Sequence, residues 1–384
     1  VSNPAPGSLA LRGIVPRWLL ASTGLGALVL MLGVHWDFSW HRSIGRDTFF
    51  TPPHVIIYLG ALLCCLAAAT AILQATFLKP AKNCGVRVWG FEAPLGAFVV
   101  AWGGLAMLAG GVFDNWWHSV YGLDIAIQSV PHVVIGLCGL LTIFSGNLLL
   151  ATSHANGTRT RPGRARALVL LSGGVLLTLG LIVNIEELFV YLMHGARFYC
   201  VVALSVPLVA FGAGGATGER FGATYVALVY SALILLLIAV LPLVPAEPRL
   251  GPILHPVNHF VPPPFPLLVA PAMALVDWAA PRFAQRGALV RSIFAGSLFF
   301  SAFVALQWPF ASFLQTRAAD NRLFVGNEFA FFQAEGSYPV RHLFYPTESS
   351  KAGLGLGMAI ALVLAVLSTR AGVGVARWLG GLRR

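Results

Sequence analysis

Ten stretches of this 384-residue chain are apolar over lengths close to that of a bilayer, near 15–34, 54–76, 91–112, 131–152, 167–190, 198–214, 222–244, 264–280, 290–314 and 352–374. Crossing the hydrocarbon core takes roughly 20 apolar residues in a helix. Inside lipid every backbone N–H and C=O must be satisfied within the segment, so repeated apolar runs of this length predict helices and little else. The sixth and eighth are short. The expected fold class is an all-α, polytopic integral membrane protein of about ten transmembrane helices. Composition agrees: 57% of residues are hydrophobic and 10% charged, against roughly a quarter charged in soluble domains. That excludes a soluble enzyme, a disordered chain and a nucleic-acid binder.

The formal net charge of +11 is then a matter of topology. Assigning loops alternately to two sides puts 17 of the 25 Lys and Arg residues on one side. By the positive-inside rule that side, which carries both ends of the chain, is cytoplasmic. The N-terminal residues lack the ordered basic, apolar and small-residue regions of a secretory leader, so none is expected. The most polar inside loop, SHANGTRTRPGRAR at 153–166, divides the chain into a four-helix part (1–152) and a six-helix part (153–384). Four of the five cysteines lie in apolar runs, and the count is odd, so no disulfide framework is expected. Nine of the ten histidines fall at or near the outer side, His154 being the exception. Ionisable groups near membrane depth are costly and usually functional.

Two of those histidine-rich segments repeat one another. Residues 34–54 read VHWDFSWHRSIGRDTFFTPPH and residues 112–132 read VFDNWWHSVYGLDIAIQSVPH. Aligned on Trp40-His41 and Trp117-His118, each has an Asp four residues before the His (Asp37, Asp114) and another six after it (Asp47, Asp124). A further His follows thirteen or fourteen residues later, directly after a proline (His54, His132). Asp and His one helical turn apart share a face, and Pro53 and Pro131 mark the start of the next helix. Each copy therefore offers two imidazoles and a carboxylate, a set that suits copper, zinc or non-haem Fe(II) without choosing among them. The bland alternative is a local ion pair at the interface. Paired axial ligands of a b-type dihaem cytochrome are a second alternative, but the spacer with Arg42, Gly45, Arg46, Asp47, Pro52 and Pro53 cannot be the continuous helix such ligands need.

The first copy, running on into VIIYLGA, resembles the signature region of the C subunit of the particulate methane and ammonia monooxygenases, over roughly residues 20–150. Asp37, His41, Arg46-Asp47-Thr48, Thr51-Pro52 and His54 match its motif in order. The second copy falls where that family has a neighbouring metal site. His118 and His132 match, Asp114 replaces an Asn, and Asp124 stands where the family has Glu-Glu. The resemblance implies copper at Asp37, His41 and His54, and a second site at Asp114, His118 and His132 that takes copper, zinc or another divalent metal. It implies a membrane monooxygenase activating O₂ to hydroxylate a small hydrocarbon-like or ammonia-like substrate that arrives through the bilayer. Expected partners are lipid, O₂, substrate, and monooxygenase subunits or further copies of this chain. The implied location is a bacterial inner membrane with the sites toward the periplasmic face. Asp47 and Asp124 would orient ligands or move protons, and Trp36, Trp40, Trp116 and Trp117 would wall the sites. The alternative function is a non-catalytic copper- or zinc-handling protein or accessory subunit.

In the second half, NIEELFVYLMH places Glu187 and His194 seven residues apart, two turns along one helical face. Glu187 is thus a candidate for second-sphere support or proton relay. His255 and His259 are proline-flanked and read as loop residues, and the loop 315–351 is long enough to cap the sites.

Overall fold

The computed structural model describes residues 15–45, 47–78, 85–122, 129–158, 162–247, 250, 258–263, 266–314, 316–319 and 350–382. Arg46, Asp124, His255 and most of the 315–351 loop lie outside the described residues. Within them the fold is all-α apart from one small hairpin. Nine helices are long and apolar enough to span a bilayer: α1 (Arg17–Ser43), α2 (Pro52–Leu78), α3 (Leu95–Tyr121), α4 (Val130–Gly157), α5 (Pro162–Ile182), α6 (Ala196–Thr217), α7 (Gly222–Leu243), α9 (Ala288–Leu314) and α10 (Lys351–Gly381). Between α2 and α3, strands β1 (Val86–Val88) and β2 (Phe91–Ala93) pair antiparallel. Leucines exposed at helical spacing, such as Leu59, Leu62, Leu66 and Leu73 on α2, supply the lipid-facing stripe expected of an integral membrane protein.

The expected eighth span takes a different form. Its helix, α8, is only Val269–Ala279, about 16 Å long at 1.5 Å per residue and about half of what a crossing needs. Before it, the described residues 258–263 run in extended form. Phe260 N donates to Val244 O at the far end of α7 (3.2 Å). Pro266 O accepts from Tyr230 Oη part-way along α7 (3.0 Å). At the near end Asp277 Oδ2 accepts from Thr224 N (2.8 Å) and Thr224 Oγ1 (2.7 Å) in the first turn of α7. Irregular backbone at membrane depth is tolerated only when buried in protein, and Phe260, Val261, Pro262, Pro263 and Pro266 are all buried. The prolines carry no N–H, so each removes a donor that would otherwise need a partner.

This broken crossing restores an even count of passages. His154 Nδ1 donates to Val15 O (3.2 Å), and Asn156 Nδ2 donates to Leu379 O (3.0 Å). Both ends of the described chain therefore meet the C-terminal end of α4, on one face of the bundle. The expected division at 152/153 falls inside α4, whose helix runs on to Gly157. One continuous apolar core joins residues from α1 through α10. The polar composition of 153–166 marks a helix end at the membrane surface, where water satisfies polar groups, without separating the core into two.

Candidate metal centres

Helices α1 and α3 overrun their apolar stretches by two or more turns, and the overrun carries the ligands. Asp37 and His41 lie one turn apart at the end of α1, and Asp114 and His118 repeat the arrangement on α3. After α1, a turn at 48–51 is closed by side chains: Thr48 N donates to Thr51 Oγ1 (2.6 Å), and that hydroxyl donates to Thr48 O (2.8 Å). Pro52 and Pro53 then start α2, because proline suits a first turn whose N–H groups lack acceptors. The turn aims the Thr48 carbonyl at His54, whose Nδ1 donates to it at 2.9 Å.

The first cluster draws in four side chains. His54 Nε2 is 3.3 Å from Asp37 Oδ1 and 3.0 Å from Asp47 Oδ2. His41 Nε2 is 3.5 Å from Asp47 Oδ2 and 3.9 Å from Asp37 Oδ2. The tight triad, with ligand atoms all within 4.8 Å of one another, is Asp37, Asp47 and His54. His41 flanks it with its side chain half exposed. Asp47, expected to support the ligands from outside, thus stands among them. Burial would raise its pKa, but hydrogen bonds from His41 and His54 outweigh that and hold its carboxyl far below the usual carboxylate range.

The second cluster is the expected one. His118 Nε2 and His132 Nε2 lie 3.4 and 3.5 Å from Asp114 Oδ1, and the three ligand atoms fall within 4.8 Å of one another. Gly122 ends α3 at φ 85°, ψ −167°, a conformation that side-chain-bearing residues rarely adopt. It turns its carbonyl back to accept from His118 Nδ1 (2.9 Å). His132 Nδ1 lies 3.0 Å from Ser129 Oγ. Asp124 falls outside the described residues, so one carboxylate is seen here against two at the first cluster.

These second-sphere bonds fix what the imidazoles present to the clusters. A carbonyl oxygen only accepts, so Nδ1 of His54 and of His118 carries a proton, and Nε2 either carries a second one, as in the hydrogen bond from His54 to Asp47, or offers its lone pair to a metal ion. At each cluster that Nε2 faces carboxylate oxygens at 3.0–3.4 Å. Two lone pairs at such distances repel unless a cation, a proton or a metal ion, lies between them. Metal-binding histidines are commonly held in this way, the other nitrogen donating to a carbonyl. Asp37 Oδ1 is buried, and it faces His54 Nε2 at 3.3 Å.

Other expected residues are placed elsewhere. Trp36 and Trp40 pack on Phe260 of the extended segment, with ring centroids 6.2 and 6.1 Å apart. That segment also clasps the end of α1: Ser39 Oγ donates to Val261 O (2.8 Å), and Val261 N donates to Ser43 Oγ (2.7 Å). Trp116 and Trp117 gather with Phe113 and Tyr121. Glu187 lies in a short 3₁₀ turn, Ile185–Leu188, and pairs with Arg197 at 3.3 Å. His194 instead meets Ser312 Oγ (3.0 Å) and the Trp308 ring. The helix breaks between Glu187 and His194, so they do not share one helical face. Sequence reasoning missed Tyr58. It sits one turn beyond His54 on α2, fills the space over Gly111 one turn before Asp114, and feels the carboxylates of Asp114, Asp37 and Asp47. Its spacing from His54 was the available signal, but the facing glycine on another helix could not be read in advance.

Comparison with known protein families, with curated proteins and with solved structures finds no match.

Proposed function

We propose that this chain is a copper-dependent membrane monooxygenase or a close relative, hydroxylating a small hydrocarbon-like or ammonia-like substrate with O₂. The observation that carries the metal assignment is the constrained imidazole pair: Nδ1 of His54 and of His118 is committed to a carbonyl while Nε2 faces carboxylates. Mixed nitrogen and carboxylate donors suit copper, zinc and Fe(II). The choice of copper rests on the sequence resemblance of Asp37, His41, Asp47, Thr48 and His54 to the monooxygenase C subunit.

Bound copper would supply the redox chemistry for reducing O₂. The chain's own part is to hold and shape. Asp37, Asp47 and His54 would hold one ion with His41 beside them, and Asp114, His118 and His132 would hold the other. Asp47 contributes fixed negative charge, and the carbonyls of Thr48 and Gly122 keep the imidazoles in one tautomer. Tyr58 and the apolar flanks of α2 and α3 limit water between the clusters. Both clusters lie where helices leave the apolar core, so a substrate dissolved in the bilayer reaches them without crossing bulk water. By the positive-inside argument this face is periplasmic.

A second reading, a non-catalytic metal-binding protein, is favoured by one feature: Asp47 gives the first cluster two carboxylates, a harder donor set than the resemblance implies. One experiment separates the two. Protein purified in detergent is analysed for metal and assayed for reductant-dependent O₂ uptake with ammonia and short alkanes. Bound copper with substrate-dependent uptake is expected. Zinc in both sites with no uptake would replace the oxygenase with the second reading.

A further inference from the structure

The connection between α2 and α3, on the face opposite the metal clusters, carries the hairpin β1–β2, whose outer surface is aromatic. Trp89 at its tip is 81% exposed, and Phe77 and Leu78 beside its base are 67% and 74% exposed. We propose that this hairpin is a lipid anchor. It lies in the headgroup layer of that leaflet and inserts the Trp89 indole among the upper acyl chains.

The depth follows from α3. The nineteen residues from Leu95 to Phe113 carry no charge, and Asp114 of the second cluster ends the run. At 1.5 Å per residue that run measures about 28 Å, the thickness of the hydrocarbon core. Trp102, half exposed, stands seven residues into it, about 10 Å beyond Leu95. Helical side chains lean toward the N-terminal end of their helix, so the Trp102 ring lies shallower than its backbone, where acyl chains meet headgroups. The Trp89 ring centroid is 5.4 Å from that of Trp102. A loop reaching out into water would not touch a lipid-facing residue at that depth. The tip folds back along α3.

The hairpin is built to hold the indole there. Trp89 (φ 49°) and Gly90 (φ 91°) form the two-residue turn between the paired Val88 and Phe91. Positive φ makes Asn, Asp or Gly the favoured first residue of such a turn. Tryptophan in that place holds a strained conformation with its ring outside the bundle, where it adds nothing to the core. Val86 and Val88 pack against that core, while Arg87, paired with Glu92, occupies the other face and is exposed. Thr76 Oγ1 accepts from Glu92 N (2.9 Å) and donates to Ile72 O (2.7 Å), tying β2 to the end of α2. Phe77 meets Phe91 edge-on, with ring centroids 6.0 Å apart. The aromatic surface thus continues the lipid-facing stripe of α2, which reaches Leu73. Tryptophan at a bilayer boundary presents its ring to acyl chains and its N–H to headgroups. Depth and continuity with the lipid-facing stripes select lipid as the occupant over a second protein.

The full chain in liposomes tests this. With native cysteines replaced, a nitroxide is placed by Trp89→Cys or, as a reference on the outer face, by Arg87→Cys. Collisions are read with oxygen, which concentrates in lipid, and with a water-soluble nickel chelate. Oxygen collisions exceeding nickel collisions at 89, with a lower ratio at 87, is the expected result. Nickel collisions exceeding oxygen collisions at 89 would place the tip in water and overturn the proposal. Shielding of 89 from both probes would place it under a protein surface and overturn it equally. A second measurement keeps the native ring. Lipids brominated high on the acyl chain are expected to quench the parent's emission, and Trp89→Phe to lose part of that quenching while keeping the parent's unfolding midpoint. Quenching unchanged by Trp89→Phe counts against insertion.

Discussion

Asp47 changes the chemistry expected of the first cluster. With Asp37 and Asp47 both beside His54, two carboxylate oxygens would meet a bound ion, and removing either leaves one oxygen donor fewer. Asp37→Ala, Asp47→Ala and His54→Ala are each expected to cost one metal equivalent per chain after chelator dialysis. His41→Ala, whose ring is half exposed and outside the tight triad, is expected to lower affinity while retaining part of the metal. Elemental analysis of the four variants decides it, and an unchanged stoichiometry in all four would reduce the cluster to an interfacial hydrogen-bond network. The two sites should also differ in softness. Two carboxylates hold Cu(I) less well than the Asp114, His118 and His132 set, where imidazoles outnumber carboxylates among the described residues. Under reducing conditions a Cu(I)-specific chelator is therefore expected to empty the first site before the second. His132→Ala, which removes the second site, identifies the fraction that remains.

Each cluster is assembled by a pair of helices that must approach closely. At Gly60 of α2 an added Cβ would stand 2.8 Å from Leu30 N and 2.9 Å from Gly26 O on α1. At Gly103 of α3 it would stand 2.7 Å from Ile143 N and 2.9 Å from Gly139 O on α4. The obstructing atoms are backbone, so neither pair can accept a side chain without moving apart, the geometry of small-residue membrane packing. Gly60→Leu is expected to destabilise by about 1–3 kcal/mol and to lower metal occupancy in the first cluster, since α1 and α2 carry its two ends. Gly103→Leu should do the same to the second cluster alone. Metal content per site, read alongside the unfolding midpoint, tests this. Equal loss at both clusters from either variant would show that the bundle, and not the helix pair, sets the geometry.

Across the whole molecule, the extended 258–263 segment and α8 make one crossing between them and bring the chain back to the face it left. Phe50, 75% exposed beside the first cluster, and Arg164, exposed at the start of α5, lie on opposite faces. With native cysteines replaced, an impermeant thiol reagent applied to intact cells is expected to label Phe50→Cys and to reach Arg164→Cys only after the membrane is opened. The reverse pattern would invert the compartments and place the clusters in the cytoplasm.

The membrane bundle, its helical class and the two-fold repeat of Asp, His and His were legible in the residues, because a bilayer admits few backbone solutions and because residues four apart on a helix share a face regardless of what surrounds them. Asp114, His118 and His132 needed only that local rule and one helix start. Asp47 did not: its position depends on how a loop folds back between α1 and α2, which the Thr48–Thr51 turn and the close approach at Gly60 decide together. The same holds for Tyr58 over Gly111, for the separation of Glu187 from His194, and for the eighth crossing. A sequence pattern records which side chains avoid water. Which backbone can be left extended inside a bundle is settled only when neighbouring helices, here α1 and α7, are in place to accept its hydrogen bonds.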